Sequence, residues 1–152
     1  MSKPVPMYWE EFEVGAKFVT RARTVTETDI VMFAAMTGDY NPLHTDAEFM
    51  KTSIFGERIA HGLLGLAIGV GLVAGLGIAQ GTVIAFLGIN WNFTGPIRIG
   101  DTIHVEQTVA EKRETKKPDR GIIVWDMEVV NQRGEVVQKG QRTLMVRRRG
   151  EG

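Results

Sequence analysis

Between Thr37 and Asp46 the chain reads TGDYNPLHTD, which sets a carboxylate (Asp39), a carboxamide (Asn41) and an imidazole (His44) within six residues, with Pro42 between them. An acid and a histidine five positions apart in an irregular segment can converge on one small group. Together they can bind a water molecule, remove its proton and return a proton elsewhere, which is general acid–base catalysis near neutral pH. Asn41 would orient the Asp39 carboxylate or a ligand. The same composition also suits an ordinary loop, since Asp and Asn side chains close turns on nearby backbone, proline stiffens the path and a histidine can cap a buried edge. The spacing by itself fits either use.

A second segment, IAHGLL at Ile59 to Leu64, places a glycine at the start of a long apolar run. If that run is helical, the first backbone N–H groups lack intrahelical acceptors and carry the positive end of the macrodipole, so a carbonyl held there is polarised. Gly62 would let the ligand approach without a side chain in the way, giving an oxyanion site. The alternative use of Gly62 is a tight entry into a packed helix, and His61 reads as a structural histidine.

The elements that must position these groups follow from the pattern. Phe18 to Val25 reads as a short strand. TETD at Thr26 to Asp29 resembles a capping box, Ile30, Phe33, Ala34 and Thr37 make a helical stripe, and Gly38 stands where a left-handed residue ends a helix. Asp39 then lies immediately beyond the helix end. HTDAEFMKTS predicts a short second helix capped by Asp46, with Gly56 closing the segment after it. The buried helix is expected over roughly 62–79.

From Thr82 onward strands alternate with turns: 82–93, 102–116, 121–130 and 135–146, with NQRG at Asn131 to Gly134 as a hairpin turn. Ile103, Val105 and Val109 alternate with His104, Glu106 and Thr108, as a half-buried strand requires. An early strand, a helical middle and about four antiparallel strands make an α+β domain with the sheet covering the helix. A helix apolar on all sides needs cover on its outer face as well, so a homodimer is the natural expectation.

At 152 residues the chain suits one domain, 1–152. With 18 basic and 18 acidic side chains there is no net field to attract nucleic acid. The absence of cysteine excludes disulfides, thiolate metal sites and a cysteine nucleophile. The start, MSKPVPMYWEEFEVG, lacks a basic region followed by an apolar run, so a cytoplasmic protein is expected. Gly62 to Ile97 contains no charge, yet its glycines and the Gln80-Gly81-Thr82 break argue against a membrane span. Lys116, Lys117 and Arg120, and Arg147 to Arg149, read as a solvated turn and a frayed terminus.

Taken together, TGDYNPLHTD at 37–46, FGERIAHGLLG at 55–65 and FTGPIRIGDTIHVE at 93–106 resemble the MaoC-like dehydratase family, which includes the (R)-specific enoyl-CoA hydratases. The similarity spans roughly residues 8–147. It implies a hot-dog fold, a long central helix wrapped by an antiparallel sheet of about five strands, assembled as dimers. It also implies an acyl-CoA thioester as substrate with no cofactor or metal. In that picture Asp39 and His44 are the catalytic pair, Asn41 supports them and the Gly62 N–H receives the thioester carbonyl. A hot-dog acyl-CoA thioesterase and a non-catalytic acyl-CoA-binding subunit are the alternatives on the same scaffold.

Overall fold

The computed structural model describes residues 5–150; the first four residues of the segment read as carrying no leader, and the two C-terminal ones, lie outside them. Helix α1 (Glu27–Thr37) starts on the expected capping box. Thr26 Oγ1 accepts the Asp29 N–H at 3.4 Å and the Asp29 carboxylate accepts the Thr26 N–H at 2.8 Å. Gly38 closes the helix at φ 78°, a conformation that favours glycine.

Two one-turn helices follow where one was expected. Asn41 Oδ1 accepts the Leu43 N–H at 3.0 Å and Pro42 occupies the first turn, which together start α2 (Pro42–Thr45). Asp46 ends that helix and caps α3 (Ala47–Met50) by accepting the Phe49 N–H at 2.9 Å. The apolar helix α4 (Gly62–Ala74) stops short of the expected Ala79. Gly75 and Gly77 explain this, since glycine is a poor helix former and Gly77 adopts φ 72°.

The strands are β1 (Lys17–Val19), β2 (Arg23–Thr24), β3 (Val83–Phe93), β4 (Thr102–Glu114), β5 (Arg120–Val130) and β6 (Val136–Arg147). They form an antiparallel sheet in the order β1-β4-β5-β6-β3, with β2 also on β4. The single strand expected over 18–25 is split because Thr20 Oγ1 takes the Val105 N–H, at 2.9 Å, that a continuous ladder would use. NQRG forms the expected turn, closed by Asn131 N–H to the Glu135 carbonyl at 3.0 Å.

The sheet curls over α4. Leu64, Ile68, Leu72 and Val73 pack into a core with Ile103, Val105, Val109, Ile123, Met127 and Val129. Gly65 and Gly69 let the helix approach closely: a Cβ on Gly69 would stand 3.3 Å from Val105 and 3.4 Å from Val129. This is the hot-dog fold. The opposite helix face, Leu63, Ala67, Gly71 and Ala74, stays exposed in the single chain, and no helix among the described residues is long and apolar enough to cross a membrane.

Two ionic clusters bear on stability. The C-terminal arginines are not frayed: Arg148 pairs with Glu10 at 2.9 Å and Glu114 at 3.2 Å and lies over Trp9, while Arg149 bonds Glu11 and covers Tyr8. The second feature is the buried Asp101 at the turn before β4. Burial alone would raise its carboxyl, but donors from Gln132, the Arg98 N–H and Arg133 outweigh that and hold it below the usual range. A depressed carboxyl adds stability above the unfolded-state value of about 3.9, and this is lost as pH falls through the lower folded value. Asp101→Asn is therefore expected to melt lower than the parent at pH 7, with the gap narrowing as the pH drops below about 4; melting curves across that range check it.

Candidate active site

Because α1 ends at Gly38, Asp39 emerges where the chain turns towards α4. Its carboxylate accepts the Asn41 N–H at 3.2 Å, and its own N–H donates to Thr37 Oγ1 at 3.2 Å. Asn41 thus supports Asp39 through its backbone, while its side-chain oxygen caps α2. The single turn of α2 then carries His44 inward, where it is buried.

His44 Nδ1 lies 2.8 Å from the Ile59 carbonyl. A carbonyl can only accept, so Nδ1 carries the proton and Nε2 is left to exchange one with a ligand or water. The segment that supplies this carbonyl is strapped on both sides: the Ile59 N–H donates to the Leu43 carbonyl at 3.3 Å, and the Ala60 N–H to the Ile97 carbonyl at 2.8 Å. The next residue, His61, stacks on His44 with ring centroids 3.8 Å apart and 25° between planes.

His61 is the residue whose part the sequence understates. Its Nε2 donates to the Asp39 carbonyl at 3.0 Å and Phe33 lies against its ring at 4.9 Å, so it ties the Asp39 loop to the start of α4. Its position beside Gly62 was the available signal. Asp39, His44 and His61 offer ligand atoms within 4.8 Å of one another, the spacing of a possible metal group. Stacked imidazoles, however, keep their lone pairs in two nearly parallel planes about one ring thickness apart, which do not meet at one tetrahedral centre about 2.0–2.1 Å from both rings. Both rings already spend one nitrogen on a backbone carbonyl. The arrangement suits proton transfer better than ligation.

Gly62 opens α4 as expected, with His61 at the cap position. The Leu64 and Gly65 N–H groups fold back to the His61 carbonyl at 3.0 and 3.2 Å, leaving Gly62 and Leu63 as the first-turn amides with no intrahelical acceptor. A Cβ at Gly62 would stand 2.8 Å from the Phe93 ring, so β3 also crowds this position, as a tight entry into a packed helix requires. The Gly62 carbonyl accepts Gln138 Nε2 at 3.0 Å, and Gln138 Oε1 accepts the Trp91 indole N–H at 3.0 Å, so β6 and β3 hold the helix start in place.

His44 and Gly62 meet in a cavity of about 780 Å³ lined also by Leu43, Ile59, Phe93 and Gln138. The Asp39 carboxylate, itself exposed, borders the His44 imidazole. Thus the two sequence motifs converge on an apolar space with an imidazole anchored through Nδ1, a carboxylate beside it and a helix N-terminus in its wall.

Comparison with known proteins gives this geometry a family. Residues 11–130 match the model of the MaoC like domain. Protein MaoC of Klebsiella aerogenes is 41% identical over 118 residues, 77% of this chain but 34% of that protein's length, so the chain spans about a third of that relative. The (R)-specific enoyl-CoA hydratase of Rhodospirillum rubrum is 32% identical over 143 residues, 94% of each chain. The crystal structure of a monoamine oxidase regulatory protein from Archaeoglobus fulgius superposes with a TM-score of 0.89 at 42% identity, covering 95% of this chain and 97% of that one. With the match extending over residues 11–130, to the end of β5, the chain belongs to the MaoC-like domain family.

Proposed function

We propose that the protein catalyses the reversible hydration of a trans-2-enoyl-CoA to the (R)-3-hydroxyacyl-CoA, as a hydro-lyase. The observation that carries this reading is the meeting of the His44 imidazole and the Gly62 helix start in one apolar cavity, with Asp39 beside the imidazole. Similarity over 94% of both chains to an (R)-specific enoyl-CoA hydratase supports it.

The thioester oxygen accepts from the unpaired Gly62 and Leu63 amides, and the helix dipole draws electron density towards it. The β-carbon becomes electrophilic. Asp39 and His44 Nε2 hold a water molecule beside that carbon. As the water oxygen bonds to the β-carbon, its proton passes to the pair, the double-bond electrons move onto the α-carbon, and a proton is returned there. No net proton is consumed. The reverse sequence dehydrates the hydroxyacyl thioester.

The functional unit in this reading is a homodimer in the cytoplasm, with acyl-CoA as its small-molecule partner. Strand β3 is an open sheet edge carrying the exposed Ile84, Phe86, Leu87, Ile89 and Phe93. A contiguous apolar edge of this kind marks an association surface.

The test is the conversion of a chain-length series of trans-2-enoyl-CoA substrates with chiral analysis of the product. Loss of the conjugated enoyl absorbance without release of thiol, yielding the (R)-alcohol, is the expected outcome. Thiol release would identify hydrolysis at the thioester carbon, and binding without turnover across all chain lengths would identify a carrier.

A further inference from the structure

Gln138 projects from β6 towards the start of α4 and is 2% exposed. Glutamine is seldom buried so fully, yet both ends of this carboxamide are used. The Trp91 indole N–H donates to Oε1 at 3.0 Å, and Nε2 donates to the Gly62 carbonyl at 3.0 Å. An indole nitrogen can only donate, so the Trp91 contact fixes which end of the carboxamide faces the helix. Gly65 keeps the path open: a Cβ there would fall 2.4 Å from Gln138 Nε2 and 2.5 Å from Ile97 Cδ1, and Nε2 would have to leave the Gly62 carbonyl to make room.

The bond to Gly62 is not needed to complete the helix. As the first residue of α4, Gly62 already accepts the N–H of Leu66 through its carbonyl, so Gln138 supplies a second donor to the same oxygen. That oxygen belongs to the peptide unit whose nitrogen is Leu63, one of the two first-turn amides without an intrahelical acceptor. A hydrogen bond accepted by an amide oxygen draws electron density away from the nitrogen of the same amide. Its N–H becomes the stronger donor, by about 10–30% per bond in such chains. Trp91, Gln138 and the Gly62–Leu63 peptide thus form a continuous donor chain that ends on an unpaired N–H at the cavity containing His44.

We propose that Gln138 is a positioning residue for the thioester carbonyl, aiming and strengthening the Leu63 N–H that this oxygen accepts. The role rests on the hydratase reading, in that it needs a thioester oxygen at the start of α4. Negative charge gathers on that oxygen as water adds to the β-carbon. A stronger donor therefore favours the transition state more than the bound substrate, and its loss falls on kcat rather than on KM. A purely structural role would show in the melting temperature and not in the carbonyl stretch of a bound thioester.

Gln138→Met keeps the length of the side chain and removes both hydrogen bonds. Trp91→Phe/Gln138→Met also removes the indole donor that the first variant strands, and serves where the single variant fails to fold. For vibrational spectra each is placed on Asp39→Asn, which stalls turnover. The probe is a trans-2-enoyl-CoA isotope-labelled at the thioester carbonyl, of the length turned over fastest or, where none is turned over, bound most tightly. With Gln138 intact the bound carbonyl stretch should lie below its position in water, and the Gln138 substitutions should return it at least halfway. With Asp39 restored, kcat should fall about tenfold, less than the roughly 10²- to 10³-fold loss on deleting an oxyanion donor itself, while KM changes less than about threefold.

A folded variant that keeps the original stretch and more than about half of the parental kcat, or one that loses only through KM, would overturn the role of Gln138 and leave hydration standing. A parent that shifts the carbonyl but hydrates no enoyl-CoA overturns the hydratase reading instead, and the stretch in the Gln138 variants then decides the positioning role. A bound stretch unshifted with Gln138 intact removes that role, and a parent that binds no thioester removes both.

Discussion

Asp39→Asn and His44→Gln are each expected to lower kcat for enoyl-CoA hydration by about 10²- to 10⁴-fold while leaving the fold intact. The choice of variants follows from the contacts. Asparagine keeps the side-chain oxygen that accepts the Asn41 N–H. Glutamine can still donate to the Ile59 carbonyl that His44 Nδ1 occupies. What each loses is the capacity to take up and return a proton at the reacting water. Because both groups serve one proton path, the double variant should be little slower than the worse single one. Steady-state rates paired with melting curves read the result. A variant that melts like the parent and keeps more than about a tenth of its kcat would remove that residue from the proton path.

This pairing depends on a long-range convergence that the sequence only partly reveals. Gly38, Pro42 and Asp46 are local signals, and the ends of α1, the start of α2 and the cap of α3 lie where turn and cap chemistry puts them. Strand β4 shows its inner face by alternation alone. The identity of Asp39, His44 and Gly62 as neighbours follows from the family pattern rather than from spacing, since nothing local brings residue 44 to residue 62. The linking contacts are the Ile59 carbonyl on His44 and the His61 ring on both His44 and the Asp39 backbone. Main-chain carbonyls have no sequence signature. That is why His61 reads as merely structural until its ring is seen against His44. Gln107 and Arg142 escaped for a different cause: each sits singly in an otherwise regular strand, and only the folded sheet shows the Gln107 carboxamide and the Arg142 Nε buried without a hydrogen-bond partner.

The same long-range logic makes a glycine far from both motifs critical to the site. Gly140 in β6 is paired with Met127 of β5 and Trp91 of β3, and a Cβ there would fall 2.0 Å from the Asn90 carbonyl oxygen and 2.8 Å from the Trp91 ring. A flexible side chain could move aside, but a backbone oxygen held in a strand cannot. Gly140→Ala must therefore part β3 from β6. Overpacking typically costs 1–3 kcal/mol, and a main-chain clash puts this case at about 3 kcal/mol. For a domain of this size that corresponds to a fall in Tm of about 6–12 °C. The damage should reach catalysis as well, because the Trp91 indole holds Gln138 and Gln138 holds the Gly62 carbonyl at the start of α4. Gly69→Ala is the contrasting case. Its Cβ would meet only the Val105 and Val129 methyls, at 3.3 and 3.4 Å, and alanine regains about 1 kcal/mol of helix propensity. Its Tm should stay within about 4 °C of the parent. Should the two variants melt alike, β3 does not sit against Gly140 as described, and the chain of contacts from that strand to the helix N-terminus is broken with it.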